Sequence, residues 1–104
     1  MLELEGYRVL QAEHGDAGLR LARSIGVDLI LLDLRMPGRD GWSVLEEMKS
    51  DVELTAIPVV VFTASAAESQ RERALRMGAA DYLVKPLSAA SLNEAVTHIL
   101  RCDR

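Results

Sequence analysis

Two stretches of this chain are too uniformly apolar to lie on a protein surface: Asp28–Leu34 (DLILLDL) and Pro58–Thr63 (PVVVFT). A strand with one wet face alternates apolar and polar residues, whereas a near-continuous apolar run needs cover on both faces. Both runs are short and rich in branched residues, which argues for strands rather than helices. Pro58 is compatible with this, since proline is tolerated at a strand's first position. Strands of this kind belong to parallel sheets, and parallel strands need helical crossovers between them.

The rest of the chain supplies those crossovers. Tyr7–Ala12 reads as a short strand. Asp16 is placed to cap a helix through about Ser24, with Leu19, Leu21 and Ala22 as its buried candidates. Gly41 to about Lys49 is helical, with Trp42, Leu45 and Met48 on one face at three-residue spacing. Ala66–Met77 is a charged helix ended by Gly78, a good C-terminal cap. Asp81–Pro86 (DYLVKP) gives a last short strand. Ser88 caps a final helix whose Leu92, Ala95, Val96, Ile99 and Leu100 face inward. Strand and helix therefore alternate, and the expected class is α/β, an open parallel sheet with helices on both faces.

The chain has 104 residues, which suits a single domain over 1–104. Twelve basic against sixteen acidic residues leave a net charge of −4, so no basic stripe is available for nucleic acid. The longest apolar stretches fall far short of a membrane span. Cys102 is the single cysteine, so no intrachain disulfide can form. A reducing, cytoplasmic setting and no signal peptide are the expectations.

In open α/β sheets, ligands sit beyond the carboxyl ends of the strands. Three such ends carry polar groups: Asp33, Thr63 and Lys85. Taken singly, each has an ordinary explanation, as a turn former, a β-branched filler and a solvated lysine. Together they put a carboxylate, a hydroxyl and an ammonium on one rim. That set suits phosphoryl transfer to a carboxylate, with Asp33 as nucleophile. Lys85 would pair with one phosphoryl oxygen, the Thr63 hydroxyl would bond another, and a divalent cation would neutralise developing charge.

The stretches DLILLDLRMPGRDGWSVLEEMK, IPVVVFTA, RALRMGAADYLVKP and SLNEAVTHIL resemble the receiver (CheY-like) domain of two-component response regulators, from about Leu2 onward. The resemblance implies a flavodoxin-like fold with Asp33 as phosphoacceptor, Thr63 as switch hydroxyl, Lys85 as active-site lysine and Tyr82 as aromatic switch residue, packing inward or outward. It also implies Mg²⁺, to which Asp33 and the backbone carbonyl of Arg35 would be ligands. Receivers begin with a strand ending in an acidic pair that holds this ion. Here Met1–Gly6 (MLELEG) matches only the tail of the helix that follows that strand, so four strands are expected and Glu3 and Glu5 are not ligands. Mg²⁺ binding and phosphotransfer are accordingly expected to be weak.

The implied partners are a histidine kinase or phosphotransfer protein and a downstream protein, with no nucleic acid or membrane, and no enzymatic activity beyond self-catalysed phosphoryl transfer. A hydrolase using Asp33 would need a second acid two residues on, where Arg35 stands. The alternative reading is a phosphorylation-independent interaction module on a receiver scaffold. With the first strand lost, Tyr7–Ala12 and Asp28–Leu34 can close up and pair directly, but the final helix alone should leave a broad apolar sheet face uncovered, so a homodimer through that face or by exchange of elements is expected.

Overall fold

The computed structural model describes residues 2–4, 6–12, 15–34 and 40–102, with side chains at all of these except 2–4, 12, 15, 25 and 102. Elements run β1 (Leu2–Leu4), β2 (Tyr7–Ala12), α1 (Gly15–Ile25), β3 (Leu29–Leu32), α2 (Gly41–Ser50), β4 (Val59–Thr63), α3 (Glu68–Arg76), β5 (Asp81–Val84) and α4 (Ala89–Cys102). The two uniformly apolar runs form adjacent parallel strands, β3 and β4, with Leu32 opposite Val61. β5 pairs with β4 in parallel, and β2 with β3. Every described residue of β3 is buried.

Strand order follows the sequence, β1-β2-β3-β4-β5. Taking the first strand out of the doubly wound order 2-1-3-4-5 leaves the other four in this succession. The two strands that flank it in that order correspond to β2 and β3, and here they pair directly. Ala12 stands opposite Leu32, and the ladder is extended where the Asp28 amide donates to the Arg8 carbonyl, with the Arg8 amide donating to the Asp28 carboxylate beside it.

The sheet separates two cores. On one side, α1, α2 and α3 bring Leu19, Ala22, Val44, Leu45, Met48 and Ala74 against Ile30, Leu32, Val59 and Val61. On the other, α4 brings Val96, Ile99 and Leu100 against Val9, Leu29, Leu31 and Val60.

Several expectations are corrected. Leu2–Leu4 is a fifth strand, antiparallel to β2, and not a helix remnant. Leu4 opposite Tyr7 leaves a two-residue hairpin connection, and Gly6 in it takes φ +86°, as tight turns of this length require. Its physical basis is the open edge of β2, whose unpaired backbone groups a short alternating segment can satisfy. Asp16 lies in the first turn of α1, which begins one residue earlier than its expected cap. Leu21 is 38% exposed, because the buried stripe of α1 runs through Leu19 and Ala22 at i, i+3 and Leu21 falls beside it. Ala95 is half-buried.

Among the described residues, the broad apolar face expected under the final helix is also absent. Val9, Leu29, Leu31 and Val60 are all buried within one chain. Direct pairing of β2 with β3 narrows the sheet by one strand, and α4 is long enough to cover what remains. The cap expected at Ser88 is present: its hydroxyl accepts from the Ser91 amide and its carbonyl from the Leu92 amide.

Candidate functional site

β3 ends at Leu32 and the chain turns at once, so Asp33 projects from the rim of the sheet. α2 is what holds this turn. The Gly41 amide donates to the Leu34 carbonyl, and Asp40 caps the helix through its side chain on the Ser43 amide. Gly41 lies directly against the turn: a Cβ there would stand 2.5 Å from the Leu34 Cα and 2.7 Å from the Asp33 carbonyl oxygen. Only glycine permits so close an approach. Arg35, with its expected carbonyl ligand, lies outside the described residues.

One strand over, Thr63 is the last residue of β4 and is buried. Strand alternation puts it with Val59 and Val61, on the side of α1–α3. β5 ends at Val84, but the ladder runs one bond further, with the Lys85 amide donating to the Thr63 carbonyl. The Lys85–Pro86 peptide is cis.

The structure joins Asp33 and Lys85 directly. Lys85 Nζ stands 2.6 Å from Asp33 Oδ2, with the two side chains 39% and 30% exposed. The pair is open enough for a small phosphorylated group to approach. Lys85 also lies over the ring of Phe62, 5.2 Å from its centroid. Sequence reasoning did not single out Phe62 or the close approach of Gly41. The glycine sits in a recognisable D-G pair, but nothing in the sequence tells a ring beneath a lysine from an ordinary core filler.

Tyr82 points inward and is buried. Its hydroxyl donates to the Ser65 carbonyl at 2.8 Å, just beyond Thr63, and lies 3.4 Å from Gln70 Oε1 at the start of α3. α3 buries only Ala74 among its residues and is otherwise tied down by polar contacts. Arg71 donates to the Tyr82 carbonyl, and the Arg73 guanidinium stacks 4.2 Å from the Trp42 ring centroid. Trp42, next to Gly41, thus links the Asp33 turn to α3.

No group of three or more His, Cys, Asp or Glu among the described residues could hold a metal ion. A magnesium site needs near-octahedral oxygen coordination, usually from one or two carboxylates and waters. The described donor set does not fit that requirement, and one oxygen of Asp33 already faces an ammonium.

A model of the response regulator receiver domain matches residues 1–97. The chain is 38% identical over 100 residues to protein PilH of Pseudomonas aeruginosa, covering 96% of this chain and 83% of PilH. It is 38% identical over 100 residues to the transcriptional regulatory protein ResD of Bacillus subtilis, covering 96% of this chain but 40% of ResD. Among solved structures, the receiver domain of sensor histidine kinase PA1611 from Pseudomonas aeruginosa superposes with a TM-score of 0.77 at 33% identity, covering 92% of this chain and 79% of that one. That domain carries a magnesium ion coordinated in its active site cleft.

Proposed function

This chain belongs to the response regulator receiver domain family, and on that premise we propose that Asp33 is its phosphoacceptor. The observation that carries the proposal is the 2.6 Å contact of Lys85 Nζ with Asp33 Oδ2, made across β4 from the carboxyl ends of β5 and β3. In the reaction, a carboxylate oxygen of Asp33 attacks the phosphorus of a phosphohistidine. The new O–P bond forms as the P–N bond breaks, and its electron pair leaves with the imidazole, which takes a proton from solvent. Lys85 stays beside the acceptor and pairs with an oxygen of the incoming phosphoryl group as a point charge. The Thr63 hydroxyl and the Tyr82 ring act afterwards, as the switch that reports the added charge to α3.

We further propose that Mg²⁺ binds weakly and that phosphotransfer is slow in this chain. The support is the incomplete donor set among the described residues. Titration with Mg²⁺, followed by Trp42 fluorescence, tests this. The donor would be a histidine kinase or phosphotransfer protein, and the output a downstream protein bound at the α3–β5–α4 face. A cytoplasmic setting is part of the same proposal. Among the described residues no helix is long and apolar enough to cross a membrane.

The homodimer has a different basis from the one the sequence implied, since the sheet face is covered within the chain. Leu75 on α3 and Leu87 before α4 are its exposed large apolar residues in that region, so a second copy would dock at the α3–β5–α4 face. The alternative function, an interaction module independent of phosphorylation, is favoured by the same incomplete donor set. Transfer of labelled phosphate from a phosphorylated histidine phosphotransfer protein, abolished by Asp33→Asn, separates the two.

A further inference from the structure

We propose that Phe62 is a positioning residue for the Lys85–Asp33 pair, its ring being the surface across which the lysine reaches the carboxylate. The importance of this for phosphoryl acceptance rests on the reading of Asp33 above, but the positioning itself does not.

Register fixes the starting points. Leu32 stands opposite Val61 and Phe62 opposite Leu83. Asp33, Phe62 and Leu83 are therefore side by side on three parallel strands, with Lys85 two residues beyond Leu83 on the outermost. Side chains two apart on a strand share a face. Leu31, Val60 and Leu83 all pack on the α4 side, so Asp33, Phe62 and Lys85 continue that side to the rim.

Lys85 and Asp33 thus begin two strands apart, roughly 10 Å at the usual strand spacing. To meet Asp33, the lysine must cross β4, and the group on β4 at the crossing is the Phe62 ring. The ammonium ends 5.2 Å from the ring centroid, on a path that finishes 2.6 Å from Asp33 Oδ2. An ammonium within about 6 Å of an aromatic face is attracted by the ring quadrupole. This matters because lysine has a flexible stem, and this one is 39% exposed. A leucine at this position would fill much of the same space but offer no π face. Phe62 therefore narrows the arc that Lys85 samples and keeps its charge over the acceptor.

The composition of the chain makes the test clean. Phe62 is the only phenylalanine, and Lys49 and Lys85 are the only lysines. Lys49 donates to the carbonyls of Thr55 and Ile57 and serves as an internal reference. Brief acetylation with acetic anhydride, read by peptide mass spectrometry, gives the ratio of Lys85 to Lys49 modification. Phe62→Leu is expected to raise that ratio about two- to fivefold, the factor expected for an exposed cation–π contact. Phe62→Tyr should restore the native ratio. If Phe62→Leu fails to fold, biosynthetic replacement by pentafluorophenylalanine keeps the ring's shape at this one site and reverses its quadrupole. It should raise the ratio in the same way. An unchanged ratio with the fluorinated ring overturns the proposal. Because the readout involves no phosphorylation, failure of Asp33 to accept a phosphoryl group would leave this result standing.

Discussion

Lys85 holds its ammonium 2.6 Å from a carboxylate oxygen of Asp33, a residue 52 positions earlier, and both side chains remain partly in water. Exposed pairs of this kind contribute about 0–1 kcal/mol to stability. Lys85→Met should therefore change the unfolding free energy in urea by less than ~1 kcal/mol while impairing phosphoryl acceptance. Val60→Asp, one strand away, is the contrast. Val60 is fully buried among Leu29, Leu31 and Val96. An uncompensated charge there should cost more than ~3 kcal/mol. Equal losses for the two variants would mean that the lysine is structural.

Gly41→Ala should destabilise the chain and slow acceptance together. The added methyl meets backbone of Asp33 and Leu34, which cannot swing aside as a side chain would. Overpacking of this type costs about 1–3 kcal/mol. Thermal melting gives the first effect, and the rate of modification by a small acyl phosphate gives the second. A variant that melts natively and reacts at the native rate would show that the turn tolerates displacement.

Tyr82→Phe removes the hydroxyl that donates to the Ser65 carbonyl and leaves the buried ring in place. The expected loss is about 1 kcal/mol, the net value of one intramolecular hydrogen bond. A lowered urea midpoint with an unchanged slope is the predicted signature.

The strand ends were legible in the sequence because uniformly apolar runs with a polar residue at the tip can be read from the chain alone. Asp33 and Lys85 were placed on one rim for that reason, and they meet. β1 was not legible. Its three residues alternate Leu-Glu-Leu, a pattern too short to separate strand from helix, and what decides the matter is the open edge of β2. The covered sheet face was missed for a related reason. It depends on β2 and β3 pairing directly, which the right-handed crossover permits, and on how much of the narrower sheet α4 then covers, which no residue in either strand signals. Gly41 and Phe62 act through contacts between elements, which periodicity does not reveal.

Stability should also depend on a pair far from the rim. Arg23 on α1 donates to Asp51, just past α2, at 2.6 Å, and holds that carboxyl below its ordinary value of 3.8. A group whose folded pKa is depressed contributes stability above its unfolded pKa and loses it as pH falls through the folded value. Arg23→Gln should therefore lower stability near neutral pH, and the difference from wild type should shrink as pH falls below 3.8 and vanish once Asp51 is protonated in the folded chain as well. Urea melts across an acid pH series measure this. A difference that persists in acid would assign the effect to packing of the arginine stem.

The most direct measurement is the mass of the intact chain during incubation with acetyl phosphate and Mg²⁺, with the modified residue located by borohydride reduction of the acyl phosphate. The expected result is slow, partial addition of a single phosphoryl group at Asp33, absent in Asp33→Asn. No addition at any time, or addition that survives Asp33→Asn, would contradict the assignment of Asp33 as the phosphoacceptor.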